Sequence, residues 1–171
     1  RLHVVFFDVG QGDAIFIQTP AGRQVLVDGG PTGTTLLSQL GRRMPFWDRT
    51  LDLVVLTHPD SDHLTGLLPV LERYAVGSII CRQIELESEP YEYWLRLLEQ
   101  EGATVYRGEA GLRVTLDQGV EMAVLYPGAG WAAGTAENLN DGSLVTRLTY
   151  GPVSVLLPGD VGAEVERRLV A

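Results

Sequence analysis

Cysteine is nearly absent from this chain, which has 171 residues and a single cysteine, Cys81. An intrachain disulfide is therefore excluded, and the apolar run that precedes Cys81 favours a buried thiol on a strand. Long apolar runs are also missing, since none approaches the ~20 residues that a helix needs to cross a bilayer. Any membrane association would have to come from sequence outside this chain.

Basic residues are outnumbered, with 13 Lys and Arg against 22 Asp and Glu and a net charge of −9. This balance argues against broad electrostatic adhesion to nucleic acid, because such binding needs basic side chains that displace counterions from phosphates. It does not exclude a nuclease, since a bound divalent cation reverses the local sign of an acidic site. Several arginines are scattered along the chain and are interpreted as solvated surface charge: Arg42, Arg43, Arg82, Arg107 and Arg113.

One domain, residues 1–171, is predicted from the length of the chain, which is enough to bury about 70% of the unfolded surface. The chain starts at Arg1 without an initiator methionine and enters an apolar run almost at once. We therefore expect it to be a piece of a longer protein.

Apolar runs that alternate with turn residues predict a mixture of strands and helices. Strands are expected at 3–7, 14–18, 24–27, 53–56, 78–81, 104–106, 112–116, 120–125, 144–149 and 153–157, and helices at 34–44, 64–74, 91–101 and 163–170. The Gly- and Ala-rich segment 127–138 is predicted to be a mobile loop. Many successive strands are too close for crossover helices, which favours an α/β sandwich of two helix-covered sheets over a doubly wound parallel sheet.

Segment 57–64 carries the strongest functional pattern. It follows an apolar run and places four potential metal ligands within six residues: His58, Asp60, Asp62 and His63. Histidines and aspartates at this spacing after a strand are typical of a metal-binding loop. In the alternative interpretation, Asp60 or Asp62 caps a helix by accepting hydrogen bonds from free backbone amides. That alternative leaves both imidazoles and one carboxylate unexplained.

Two further aspartates, Asp28 and Asp160, also stand where an apolar strand gives way to a turn. Three strand ends with potential ligands indicate one common edge of the sandwich. This ordered pattern resembles the metallo-β-lactamase fold. The resemblance implies an αββα sandwich, of which the last strand and a final histidine would lie beyond Ala171.

A narrower resemblance covers nearly the whole chain. Its motifs are FDVGQGDA at 7–14, LTHPDSDH at 56–63, NDGSLV at 140–145 and LPGD at 157–160. They are similar to the C-terminal domain of the ComEC family of DNA-uptake channel proteins. In that branch Asp60 stands where the wider fold has a second histidine.

The resemblance implies a role for each matching ligand residue. His58 and Asp60 would bind a first divalent ion, and Asp62 and His63 would bind a second. Asp160 would bridge the two ions. Asp62 would also help to align the nucleophile.

Other acidic residues receive supporting roles. Asp28 would orient the loop by hydrogen bonding to the ligands. Asp8 and Asp13 are interpreted as turn residues that support the site, although Asp13 could equally satisfy the amides of its Gly-rich turn. Asp141 lies near a position where other members place a ligand and could complete the first site, or it could belong to an Asn-Asp-Gly turn. His3 is interpreted as a sheet residue.

The activity implied by the resemblance is hydrolysis of DNA phosphodiester bonds with two divalent ions. The substrate would be the single strand that is not taken up during natural transformation. The domain would then lie on the extracytoplasmic face of the cell membrane, tethered to the channel portion of the same polypeptide. Two alternatives stay open: another hydrolase of the same fold, and a binding module that grips DNA or a partner without cutting it.

Metal preference follows from the scarcity of histidine. With two histidines in the loop, each ion would have at most one imidazole and otherwise carboxylates, which favours manganese, with magnesium or zinc possible. We expect Asp62→Ala or His63→Ala to abolish cleavage and leave the fold intact. Without the final histidine, residues 1–171 alone are expected to bind metal loosely and to have little or no activity, because the carboxylates repel one another.

Overall fold

The computed structural model describes residues 1–129 and 139–169. The loop predicted at 127–138 therefore falls mostly outside the described residues. Among the described helices, none is both long and apolar enough to span a membrane.

The described elements alternate between strands and short helices, with ten strands in total. Their bounds are β1 (His3–Phe6), β2 (Ile15–Gln18), β3 (Gln24–Val27), α1 (Gly33–Arg43), β4 (Thr50–Val55), α2 (Ser61–Leu64), α3 (Leu68–Leu71), β5 (Ala75–Cys81), α4 (Glu89–Glu101), β6 (Thr104–Arg107), β7 (Arg113–Asp117), β8 (Val120–Tyr126), β9 (Val145–Tyr150), β10 (Val153–Leu157) and α5 (Ala163–Leu169). Each predicted strand is present, with ends that differ by a few residues.

The strands form two sheets. The first has the order β1-β2-β3-β4-β5-β6, and the second is the meander β10-β9-β8-β7. Strands β1 to β3 are antiparallel, whereas β3 to β6 are parallel because helices return the chain to the same end of the sheet. The predicted sandwich is confirmed, but its parallel half with crossover helices was not anticipated by the sequence argument.

Side chains that alternate along the strands create the layers. On β2, Ile15 and Ile17 pack toward the second sheet, and Phe16 packs in the cluster that contains α1, α3 and α4. Helix α5 covers the outer face of the second sheet, where Val165 packs with Val145. The order of layers is therefore helices, sheet, sheet, helix.

The helix predicted at 64–74 was wrong in its bounds. The chain becomes helical at Ser61 and is then divided into α2, a 3-10 turn and α3. The division occurs at Gly66, whose N–H donates to the carbonyl of Gly30 at 2.9 Å. A Cβ on Gly66 would lie only 1.8 Å from the carbonyl oxygen of Gly29. Segment 61–71 is therefore shaped by contact with the turn after β3.

Candidate metal centre

The predicted ligands gather at the carboxyl ends of the central parallel strands. Asp28 follows β3, and Thr57 and His58 follow β4. Neighbouring parallel strands end at the same edge, where α/β sheets commonly bind ligands. The second sheet reaches this edge through Leu144, whose N–H donates to the carbonyl of Thr57 at 2.9 Å. Asp160 arrives on the loop between β10 and α5.

Asp28 is the buried hub of this edge, with 1% of its surface exposed. Its Oδ1 accepts from the Thr57 N–H at 2.8 Å, and its Oδ2 accepts from the Thr57 hydroxyl at 2.6 Å. Oδ2 also lies 2.9 Å from Nδ1 of His63. The backbone of Asp28 is left-handed, with φ of 56°, which costs an L-residue roughly 1–2 kcal/mol. The three hydrogen bonds offset that cost.

Hydrogen-bonding capacity fixes the orientation of both imidazole rings. An ionised carboxylate accepts only, so the contact with Asp28 places a proton on Nδ1 of His63. The Thr57 hydroxyl donates its one proton to Asp28, so its contact with Nδ1 of His58, at 3.0 Å, is one in which the ring donates. Both rings therefore turn Nε2 toward the interior of the site.

The two Nε2 atoms are buried, and neither has a hydrogen-bond partner within residues 1–129 and 139–169. The ring centroids of His58 and His63 are 4.1 Å apart. Nε2 of His63 lies 3.4 Å from Oδ2 of Asp160, and Nε2 of His58 lies 3.5 Å from Oδ2 of Asp60. Buried polar atoms rarely lack a partner, and a cation bound between these nitrogens and the carboxylates would supply one.

The spacing also fits an ion. One ligand atom from each of His58, His63 and Asp160 lies within 4.8 Å of the other two. Ligands about 2.0–2.2 Å from one ion are at most about 4.4 Å apart, so a movement below about 1 Å would close this set. His58, His63 and Asp160 therefore fit a divalent metal.

Charge in the site is poised for a cation. Burial and the neighbouring His63 lower the pKa of His58. Burial would also lower the pKa of His63, but the hydrogen bond and charge of Asp28, with the charges of Asp160 and Asp62, raise it to about 9. In the metal-free site both ring nitrogens of His63 therefore carry a proton at neutral pH. A divalent cation would take the place of the proton on Nε2.

Asp60 and Asp62 lie on either side of the start of α2. Asp60 occupies the N-cap position, yet its side chain makes no capping hydrogen bond, so the capping interpretation is wrong for this carboxylate. Burial and the charge of Asp62 raise the pKa of Asp60. Oδ2 of Asp62 accepts from Nε2 of Gln11 at 3.0 Å and is outside the three-residue ligand set.

The remaining predicted residues are held mainly through the backbone or a turn. The carbonyl of Asp8 accepts from Gln39, and that of Asp13 accepts from the N–H of Gly30 at 2.8 Å. Asp141 is outside the ligand set, and its Oδ1 accepts from the N–H of Gly162, just before α5, at 3.2 Å. His3 lies exposed on β1, as expected of a sheet residue.

Sequence reasoning missed the roles of Thr57 and Gln11. Thr57 lies between β4 and His58, where its hydroxyl reaches both Asp28 at the end of β3 and the ring of His58. Gln11 is flanked by two glycines, a signal of close backbone approach. At Gly12 a Cβ would lie 1.9 Å from the carbonyl oxygen of Asp62. The turn between β1 and β2 therefore presses directly on the ligand loop.

Comparison with known proteins adds a family to this geometry. The family profile of the Metallo-beta-lactamase superfamily matches residues 7–171. The chain is 28% identical over 185 residues to ComE operon protein 3 of Bacillus subtilis (strain 168), a similarity that covers 98% of the chain. It spans only 23% of the length of that relative.

Solved structures share the fold. Zn²⁺-bound PqqB from Methylobacterium extorquens is 15% identical with a TM-score of 0.60, covering 91% of this chain and 56% of PqqB. YhfI from Bacillus subtilis, a metallo-beta-lactamase fold protein, is 17% identical with a TM-score of 0.58, covering 90% of this chain and 57% of YhfI. CmlA, a diiron beta-hydroxylase from Streptomyces venezuelae, is 20% identical with a TM-score of 0.57, covering 93% of this chain and 30% of CmlA. At these identities the likeness shows the fold alone.

Proposed function

Since the chain belongs to the metallo-β-lactamase superfamily, whose members are generally metal-dependent hydrolases, we propose that it is a metal-dependent deoxyribonuclease. The observation that carries the proposal is the convergence of two buried Nε2 atoms and the Asp160 carboxylate at one strand edge. A divalent cation bound there would supply a water nucleophile activated near neutral pH and would stabilise negative charge on a scissile phosphodiester.

Each of the main residues of the site then has a defined task. His58, His63 and Asp160 would hold the cation, while the hydrogen bonds of Asp28 and Thr57 leave Nε2 of both rings free to bind it. Asp62, whose carboxylate is oriented by a hydrogen bond from Gln11, aligns the nucleophile. Because these tasks divide between binding and alignment, loss of Asp62 should reduce turnover more than it reduces metal affinity.

The proposed cofactor is a pair of divalent ions, with manganese preferred. The carboxylates of Asp60 and Asp62, on the same loop as the two imidazoles, support an oxygen-rich surrounding for the ions. Two imidazoles and one carboxylate also suit zinc and ferrous iron, so the metal must be tested as a panel.

The proposed substrate is single-stranded DNA, namely the strand that is not imported during natural transformation. The proposed location is the extracytoplasmic face of the cell membrane, with the channel portion of the same polypeptide as partner. Support comes from the motif resemblance to the ComEC family and from the 28% identity to ComE operon protein 3.

The test is cleavage of labelled single- and double-stranded DNA with Mn²⁺, Mg²⁺, Zn²⁺ or Fe²⁺. It is run on residues 1–171 and on a chain that continues past Ala171, because the shorter chain is expected to be weak. Asp62→Asn should lower the cleavage rate at least about hundredfold, in the range seen when a catalytic group is removed. Asp117→Asn, at the end of β7, is the matched control and should leave the rate unchanged.

Hydrolysis of another substrate in a panel of thioesters, lactams and phosphorylcholine esters, with DNA left intact, would overturn the proposal. DNA binding without turnover in any metal would favour the binding module instead. His63→Ala is a poor probe, contrary to the sequence-based expectation for it. Its removal would leave a cavity and strip a partner from buried Asp28, costing on the order of 2–4 kcal/mol of folding free energy.

A further inference from the structure

The loop between α1 and β4 exposes two adjacent aromatic side chains. Phe46 is 84% exposed and Trp47 is 74% exposed, the highest values among large hydrophobic residues in the described part of the chain. Their rings meet edge to face, with centroids 4.8 Å apart. Burying two such side chains in an apolar phase would remove several hundred Å² of surface from water, at roughly 150–250 Å² each. A folded protein rarely leaves that area in water without a partner.

Arginines flank this pair in the sequence. Arg42 and Arg43 are exposed in the last turn of α1, and Arg49 is exposed just before β4. None of the three forms an ion pair with any residue that the structure describes. We call these five residues the basic aromatic tip: Arg42, Arg43, Phe46, Trp47 and Arg49.

Two acidic residues near the tip, Asp48 and Asp52, form hydrogen bonds or an ion pair with other residues. Asp48 accepts from Nε2 of Gln24 at 2.6 Å and from the hydroxyl of Thr50 at 2.7 Å. Asp52 pairs with Arg23 at 2.7 Å. The hydrogen bonds to Asp48 come from neutral groups, so its negative charge remains, and three arginines against this one aspartate leave segment 42–49 with a net positive charge in a chain whose net charge is −9.

The tip lies at the opposite end of the sheet from the metal centre. Strand β4 begins at Thr50, beside the tip, and ends at Val55, two residues before Thr57. Six residues of strand span about 20 Å. The screening length at physiological salt is about 8 Å, so the carboxylates of the metal centre do not cancel the charge of the tip.

We propose that the basic aromatic tip binds the surface of an anionic phospholipid bilayer, with Phe46 and Trp47 inserted at the level of the headgroups. Tryptophan prefers the membrane interface, and arginine is attracted to anionic headgroups. A single-stranded nucleic acid fits less well, because such ligands are bound in basic grooves with ring faces available for stacking. Here the side chains project from a loop and the two rings meet edge to face. Docking by this end would leave the metal centre facing away from the bilayer.

The experiment is co-sedimentation of the chain with vesicles of phosphatidylcholine alone or mixed with phosphatidylglycerol. Binding should need the anionic lipid and weaken in high salt. Phe46→Ser/Trp47→Ser should reduce the partition coefficient at least about tenfold, given the apolar area lost. Arg42→Gln/Arg43→Gln should reduce it by about fivefold for each charge removed.

Matched controls separate the tip from general effects. Tyr106→Ser removes a half-exposed aromatic ring from edge strand β6, and Arg167→Gln/Arg168→Gln removes two charges from α5. Both variants should bind vesicles like the parent chain. Absence of binding to anionic vesicles, or equal losses in tip and control variants, would overturn the proposal. It would also fail if the tip substitutions abolished oligonucleotide binding or self-association while vesicle binding was never observed.

Discussion

At the scale of single residues, Thr57 joins the two histidines to one buried carboxylate. Its hydroxyl donates to Asp28 and accepts from His58, while Asp28 also accepts from His63. One aspartate therefore sets the tautomer of both rings, directly in one case and through a hydroxyl in the other. Loss of hydrogen bonds of this kind typically lowers metal affinity 10–100-fold.

Thr57→Val tests this arrangement. The substitution keeps the shape of the side chain but leaves Nδ1 of His58 without its acceptor, and we expect a loss of about 1–3 kcal/mol in the free energy of unfolding. Metal affinity should fall about 10–100-fold. Urea unfolding and isothermal titration measure the two effects. Thr57→Ser retains the hydroxyl and should restore most of both, whereas equal behaviour of the two variants would show that the hydroxyl has no such role.

The pKa of His63 predicts how metal binding depends on pH. Because that pKa is raised to about 9, a metal ion must displace a proton from His63 throughout the neutral range. As the pH is raised toward that pKa, the apparent metal affinity should rise by up to about tenfold for each pH unit. Titrations at about pH 7 and pH 8, in two buffers of different ionisation enthalpy, should show this rise and the release of one proton. A flat profile would contradict it.

Stability of the metal-free protein should follow the opposite trend. A folded-state pKa above the ordinary value of 6.5 means that His63 contributes stability fully below about pH 6.5. That contribution is lost as pH rises toward 9. Thermal unfolding with a chelator should therefore show a falling midpoint over this window. A midpoint that rises steadily from pH 7 to 9 would require a different proton-binding group to dominate.

At the scale of elements, the glycine-rich turn between β1 and β2 supports the ligand loop. Gly10 and Gly12 both have positive φ, but only at Gly12 would a Cβ strike another residue, the backbone of Asp62. The two positions thus share a conformational constraint and differ in contact. This difference provides a matched pair of substitutions.

Gly12→Ala should destabilise the fold by about 2 kcal/mol more than Gly10→Ala, since it adds a backbone clash to the roughly 1–2 kcal/mol cost of a left-handed alanine. It should also weaken metal binding, because the loop that carries Asp62 and His63 must move. Chemical unfolding and metal titration of the two variants make the comparison. Similar losses in both would mean that the contact with Asp62 is unimportant.

The sequence predicted most elements because strands such as β2 and β3 are short apolar runs bounded by turn residues and are buried on both faces. It failed at 64–74 because the break at Gly66 depends on a hydrogen bond to Gly30, a residue 36 positions earlier. The crossover geometry of β3 to β6 likewise depends on packing of helices against the sheet. Local patterns do not contain such long-range contacts.

For the site, strand-end positions correctly indicated that Asp28, the 58–63 loop and Asp160 share one edge. They did not indicate that both imidazoles point at one place with Asp160, because ring direction is set by the Asp28 and Thr57 hydrogen bonds. The division of these ligands between two ions stays a prediction.

At the scale of the whole molecule, the central parallel strands separate two ends of different chemistry. Acidic residues and histidines lie at the carboxyl ends of these strands. Near the start of β4 lie two exposed aromatic side chains and three arginines that form no ion pair with any described residue. The net charge of −9 hides this polarity. A substrate would approach the end with the metal centre, and the bilayer proposed above would contact the end with the basic aromatic tip.

We infer that Nε2 of His58 and Nε2 of His63 bind a divalent metal. The chain has only three histidines, so long-range ¹H–¹⁵N NMR spectra of the imidazoles during titration with diamagnetic Zn²⁺ test the claim directly. We predict that Nε2 of both residues shifts to a metal-bound value, that Nδ1 of both stays protonated, and that exposed His3 is unaffected. Unchanged spectra of His58 and His63 at saturating zinc, or binding through Nδ1, would show that these two Nε2 atoms are not metal ligands.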